Sequence, residues 1–174
     1  MGPRDTIKSK IRAIQDFPKP GITFRDSTTL IADPKAFSLT IQELINDWKS
    51  EQFNTVVAID ARGFIFGSVL AHQMNKKLVL ARKKGKLPAE VVSATYELEY
   101  GTDQLEIHRD AIDSSSSCLV VDDLIATGGT AEAAGKIIKQ LNGNLVGFAF
   151  VIGLPFLNGT QVLSPSKVKT LVEF

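Results

Sequence analysis

The chain has 174 residues, a length that favours one domain spanning 1–174 and able to bury a sizeable core without staples. Hydrophobic residues make up 44% and charged residues 22%, and the formal net charge of +1 supplies no polycationic field for nucleic acid. Cys118 is the only cysteine, which excludes an internal disulfide, disfavours a cysteine-built zinc site and fits a reducing, cytoplasmic compartment. The polar stretch Met1–Lys10 lacks the apolar core of a secretory signal, and no segment approaches the roughly 20 apolar residues that span a bilayer, so no membrane partner is expected.

Ile7, Ile11 and Ile14 recur at helical spacing and predict a helix over Thr6–Gln15. Pro18, Pro20 and Gly21 then enforce an irregular loop. Asp33-Pro34 reads as an N-cap followed by proline at the first helical position, with Phe37, Ile41, Leu44, Ile45 and Trp48 forming the apolar face of the helix. Thr55–Ile59 is a short continuous apolar run, the pattern of a buried parallel strand, and it ends in Asp60-Ala61-Arg62-Gly63. A helix over Phe66–Met74 and a strand over Leu78–Ala81 follow. Lys83–Arg109 is polar, carries Gly85, Pro88 and Gly101, and predicts a long, weakly ordered excursion or hairpin, a kind of segment that often forms a lid. Next come a strand over Cys118–Val121, a loop through Thr130, a helix to about Leu141, and strands over Leu145–Ile152 and Val168–Val172. This alternation predicts an α/β fold with a mostly parallel central sheet flanked by helices, and such sheets bind ligands at the C-terminal ends of their strands. Two polar clusters fall at those ends: Asp60–Gly63 and Asp122–Thr130.

The second cluster carries the strongest signal. A buried strand delivers Asp122 and Asp123 to its end, and the loop Ala126-Thr127-Gly128-Gly129-Thr130 leads into a helix. The glycines let backbone N–H groups approach a ligand closely, Thr127 and Thr130 add hydroxyls, and the helix N-terminus adds unpaired N–H groups and a positive dipole end. Together these make a phosphate cradle. The acids would repel a phosphate they faced, and are better suited to accept hydrogen bonds from ribose hydroxyls beside it. A sugar-phosphate site is the functional reading; a capped strand–turn–helix joint is the structural one. The loop lacks Walker A spacing, and no G-x-G-x-x-G occurs.

The segment Leu119–Thr130 resembles the phosphoribosyl-pyrophosphate (PRPP) motif of the type I phosphoribosyltransferases. The resemblance extends over nearly the whole chain, through Phe17–Asp26, Arg62–Gly67, Arg82–Pro88 and Tyr96–Gly101, and the last two are specific to the adenine branch of that family. It implies a type I phosphoribosyltransferase fold with a long flexible lid and a small N-terminal hood. It also implies transfer of the phosphoribosyl group of PRPP to adenine, giving AMP and pyrophosphate, with Mg2+ held chiefly through PRPP rather than by protein ligands, and a homodimer. Two rivals remain: a hypoxanthine, guanine or xanthine phosphoribosyltransferase, and a PRPP-sensing regulator without catalysis.

The resemblance assigns Asp122 and Asp123 to ribose and Ala126–Thr130 to phosphate. Asp60, Ala61 and Arg62 face pyrophosphate, with amides exposed in relatives by a non-proline cis peptide; Arg82, Lys83 and Lys86 join them as the lid closes, while Lys84 stays exposed. Arg62, Lys86 and Glu99 form the catalytic set, Glu99 sharing or donating a proton near the purine N7. Thr23, Phe24, Arg25 and Glu99 form the adenine site, the backbone at Thr23 and Arg25 reading the base edge and the Phe24 ring available to stack on it; Tyr100 belongs to the lid. Taken alone, Arg62 reads as a surface ion pair, the basic run as a solvated face, Glu99 as a solvent-facing acid and Phe24 as a core aromatic. Cys118, His72 and His108 are declined as catalytic groups. One departure follows Arg25-Asp26: Ser27-Thr28-Thr29 begins where relatives usually carry an apolar residue.

Overall fold

The computed structural model, which describes residues 2–97 and 101–174, ends its first helix early: α1 spans Pro3–Ser9. The expected helix over Thr6–Gln15 does not form. Arg12–Ile14 is instead a strand, β1, paired antiparallel with β2 (Phe24–Asp26), with Ala13 opposite Arg25. Ile7 and Ile11 are nevertheless both buried in one cluster. The isoleucine spacing therefore marked burial, and pairing across the proline loop decided the backbone. This two-stranded ribbon is the hood.

The short α2 (Thr28–Ile31) leads to α3 (Pro34–Trp48), which begins where expected because the Asp33 carboxylate accepts the backbone N–H groups of Lys35 and Ala36, each at 3.1 Å. Ile41, Leu44 and Trp48 are buried, and Phe37 and Ile45 are partly buried beside them. The chain continues through β3 (Thr55–Ile59), α4 (Gly63–Gln73), β4 (Lys77–Lys83), β5 (Val91–Glu97), β6 (Thr102–His108), β7 (Ser117–Ile125), α5 (Gly129–Gln140) and β8 (Asn144–Gly153). A 3-10 turn (Pro155–Leu157), α6 (Gly159–Val162) and β9 (Val168–Glu173) complete it.

The main sheet is seven-stranded, in the order β5-β6-β4-β3-β7-β8-β9. The strands from β4 to β9 are parallel, while β6 joins β4 antiparallel and β5 joins β6 antiparallel. The Lys83–Arg109 excursion is thus mainly a long hairpin, paired from Val91 opposite His108 to Glu97 opposite Thr102. Alternation along the central strands feeds two cores. Val57, Ile59 and Val120 pack with Ile137 and Ile138 of α5 on one face; Val56, Leu119 and Val121 pack with Leu44, Phe66 and Leu70 of α3 and α4 on the other. The strand expected over Cys118–Val121 runs on to Ile125, so Asp122 and Asp123 lie within it and not beyond it. Among the described residues, no helix is long and apolar enough to cross a membrane.

Candidate active site

β3 ends at Ile59, and the chain turns through Asp60 and Ala61, joined by a non-proline cis peptide, into α4. Packing requires Gly63 to be glycine: a Cβ there would lie 2.8 Å from the Val121 carbonyl oxygen and 2.9 Å from an Asp122 carboxylate oxygen. That closeness brings Arg62 to the end of β7. Its Nε donates to Asp123 Oδ2 at 2.5 Å, and Ser27 Oγ donates to the same oxygen at 2.8 Å. Asp60 accepts from Arg82 Nε at 3.3 Å, which ties the start of the turn to β4.

The two acids, read from the sequence as one pair, have different surroundings. Asp123 is buried and holds the two side-chain donors just named. Asp122 borders a cleft of about 110 Å³ whose other walls include Ala126, Thr127, Gly128, Gly129 and Thr130. Burial, and then the Asp123 charge, push the Asp122 carboxyl well above the usual carboxylate range, with Arg62 partly opposing them. The cleft is closed by the start of α5. Gly128 sits at φ 86°, a left-handed conformation that favours glycine, and the N-terminal amides of α5 follow directly. A Cβ at Gly128 would also strike the Gly159 carbonyl oxygen at 2.5 Å, so the α6 segment lies backbone against backbone on this loop.

A larger cavity of about 810 Å³ opens beside it, between the hood and the end of β8. Gly21, Ile22, Thr23 and Arg25 form the hood side, Leu154, Phe156 and Leu157 the opposite side, and Glu97 of β5 also borders it. Phe156 is 69% exposed and forms, with Ile22 and Leu157, an exposed apolar lining of this cavity. Ala126 and Thr127 line this cavity and the smaller cleft alike. The Thr23 hydroxyl donates to Gln15 at 2.9 Å, and the Arg25 guanidinium stacks on the Phe174 ring at 4.1 Å. The Phe24 ring meets Phe17 edge-on at 5.3 Å and lies 6.0 Å from the Arg62 guanidinium; it is not among the residues lining the cavity.

The basic run is brought to the site only in part. Arg82 reaches Asp60 and donates to the Lys86 carbonyl at 3.3 Å. Lys83 pairs with Asp103 at 3.3 Å, and Lys86 is exposed. Among the described residues, neither lysine has a hydrogen bond or ion pair to the Asp60–Arg62 turn. Glu99 and Tyr100 lie outside the described residues. Sequence reasoning missed Leu154, Phe156, Leu157 and Ser27. For the first three, an apolar Leu-Pro-Phe-Leu run at a strand's C-terminal end was the available signal; for Ser27 it was the departure from the family pattern. Among the described residues, no group of three or more His, Cys, Asp or Glu could hold a metal ion.

Residues 31–171 match the phosphoribosyl transferase domain family. Adenine phosphoribosyltransferase of Acaryochloris marina is 51% identical over 168 residues, covering 97% of this chain and 99% of that protein. The crystal structure of adenine phosphoribosyltransferase from Thermoanaerobacter pseudethanolicus superposes with a TM-score of 0.95 at 44% identity, over 98% of this chain and 99% of that one. That of the Saccharomyces cerevisiae enzyme, complexed with an imino-altritol bisphosphate and adenine, gives 0.92 at 38% identity, over 98% of both chains. The sheet order, the glycine-rich cradle at the C-terminal end of central strand β7 and these likenesses agree, and the chain belongs to the adenine phosphoribosyltransferase family.

Proposed function

We propose that the chain transfers the 5-phosphoribosyl group of PRPP to adenine, giving AMP and pyrophosphate in purine salvage, as a single domain spanning residues 1–174. The observation that carries this reading is the wall shared by the two cavities. Ala126 and Thr127 border both the cleft at the start of α5 and the larger, mainly apolar pocket under the hood. A ligand with a phosphate at one end and a flat base at the other fits that order. The yeast relative's complex, with a sugar bisphosphate analogue and adenine together, supports it.

In this reading the 5′-phosphate sits in the Ala126–Thr130 cradle, and the ribose hydroxyls bond to Asp122 and Asp123. The pyrophosphate lies against the Asp60–Arg62 turn, with Arg82, Lys83 and Lys86 closing on it. A base nitrogen forms its bond to the ribose carbon as the bond from that carbon to pyrophosphate breaks. Arg62 and the basic run balance the charge of the departing group. The base gives up one ring proton as AMP forms, and Glu99 shares or takes it at N7, donating it in the reverse direction; Glu97, two positions earlier, borders the base pocket, which supports placing Glu99 there. The side chains of Thr23 and Arg25 are engaged by Gln15 and Phe174, which supports recognition of the base edge by their main chain. A pocket set for one hydrogen-bond pattern leaves polar groups unpaired with an oxo purine. Closure of the lid, to which Tyr100 is assigned, would exclude water that hydrolyses PRPP.

Mg2+ suits this site through its substrate. It is a hard ion that keeps phosphate, hydroxyl and water oxygens as ligands, and PRPP offers the first two. When bound, the ion spreads the negative charge of the pyrophosphate. We place the enzyme in the cytoplasm, as the free Cys118 supports, and read it as a homodimer by family likeness.

Turnover of adenine, hypoxanthine, guanine and xanthine with PRPP and Mg2+ tests the function. Adenine should be much the best substrate. Equal or better turnover of hypoxanthine or guanine would refute the adenine reading, and PRPP binding without turnover of any base would favour a sensor.

A further inference from the structure

Ser27 stands where the family pattern usually has an apolar residue, and it is 1% exposed. A buried hydroxyl in place of hydrocarbon needs a partner. Its partner is Asp123 Oδ2, at 2.8 Å. We propose that Ser27 is a positioning residue that fixes Asp123 for ribose binding and frees Arg62 to turn toward pyrophosphate.

The proposal rests on the assignment of Asp123 to PRPP. Asp123 is 4% exposed, and among the described residues its carboxylate has two side-chain donors, Ser27 and Arg62, both on Oδ2. In the proposed function the same carboxylate also accepts a ribose hydroxyl. Arg62 belongs to the turn that faces pyrophosphate, and a guanidinium bonded to Asp123 is not bonded to substrate. If Ser27 were apolar, turning Arg62 away would leave this buried carboxylate with only the neighbouring Asp122 carboxyl beside it, an unfavourable state. With Ser27 present, one donor stays on Oδ2 throughout.

The hydroxyl is presented by a rigid segment. Next to it, Asp26 is held by Arg12 through Nε at 3.1 Å and Nη2 at 2.5 Å, and accepts the Thr28 N–H at 2.9 Å. Thr29 Oγ1 donates to the Lys10 carbonyl at 2.6 Å. The strand just before it, β2, carries Arg25 at the edge of the base pocket. Ser27 therefore ties the hood that borders the base to the acid assigned to the ribose.

The experiment compares the parent with Ser27→Ala, Ser27→Thr and Ser27→Val in steady-state kinetics for both substrates, with PRPP binding measured directly by calorimetry in Mg2+. Ser27→Ala should raise the KM and Kd for PRPP on the order of tenfold, the scale of one hydrogen bond to a charged group, while the KM for adenine stays within about twofold. Thr and Val have nearly the same shape, so they isolate the hydroxyl: Thr should bind PRPP more tightly than Val by a similar factor. Parental PRPP affinity in a folded Ser27→Ala protein overturns the proposal, as does equal affinity in the Thr and Val variants. A parent that binds no PRPP overturns the functional reading and this proposal with it; a parent that binds PRPP no better than Ser27→Ala overturns this proposal alone.

Discussion

Gly159→Ala tests whether the contact between α6 and the cradle sets the geometry of the phosphate site. A Cβ at residue 159 would lie 2.2 Å from the Ala126 carbonyl oxygen and 2.9 Å from both the Gly128 nitrogen and the Thr127 carbonyl carbon. All three are main-chain atoms of the cradle, so no side chain can rotate out of the way. Carbon contacts settle near 3.5–4.0 Å, so the two backbones must part by roughly 1 Å. Gly159 opens α6 without a left-handed φ, so alanine is conformationally acceptable there and would stabilise by about 0.4–1 kcal/mol if space allowed. The clash decides the sign: overpacking typically costs about 1–3 kcal/mol, which lowers Tm by roughly 2–12 °C in a chain of this size. Function should fall further, because a misplacement of about 1 Å can cost on the order of 100-fold. The expected result is a loss on that scale in kcat/KM for PRPP, with a raised KM for adenine because Phe156 and Leu157 adjoin α6. Steady-state kinetics for each substrate and a thermal scan measure these effects. A lowered Tm with parental kcat/KM would refute the idea that this contact sets the cradle; an unchanged Tm and unchanged kinetics would refute the clash itself.

Asp26 gives a pH prediction. Hydrogen bonds from Arg12, then from Thr28, lower its carboxyl to about 2. That is below the unfolded value of about 3.9, so the stability it contributes is present above about pH 4 and is lost as pH falls through about 2. The shift corresponds to at most about 2.6 kcal/mol, less after discounting for Arg12, whose side chain is 56% exposed. Urea melts should show Asp26→Asn less stable than the parent at pH 7, with the gap narrowing toward pH 2; a gap independent of pH would contradict the linkage. Glu99→Gln should lower turnover far more than PRPP affinity, and a parental kcat would remove Glu99 from proton transfer.

The elements that the sequence made legible are those set by local pattern. Thr55–Ile59 is buried on both faces of the sheet, so its unbroken apolar run needed no partner to interpret. Asp33 caps α3 with its own carboxylate, two and three residues from the amides it serves. The proline loop and the glycine-rich cradle were legible because Pro and Gly restrict or free the backbone where they stand. β1 was not legible, because Ile7, Ile11 and Ile14 satisfy a helical period while pairing with β2 makes Arg12–Ile14 extended. The wall formed by Leu154, Phe156 and Leu157 was missed for a related reason: an exposed apolar side chain has meaning only opposite the hood, more than a hundred positions away in the chain.

The acid pair shows how far a local motif reaches. Asp122 and Asp123 are adjacent in sequence and equivalent on paper, and their carboxyls stay close enough to interact, yet their other neighbours differ. Asp122 borders the cleft of the cradle, while Asp123 is held by a hydroxyl 96 positions upstream and by an arginine 61 positions upstream. In the proposed function the Leu119–Thr130 segment supplies the groups that face the ribose and its phosphate. Their orientation comes from the hood through Ser27, from the β3 turn through Arg62, and from α6 through Gly159. None of those three lies in the central motif. A site built this way should lose PRPP affinity when Ser27 or Gly159 is changed, even with every residue of the motif intact, and that distant control distinguishes it from a self-contained phosphate loop.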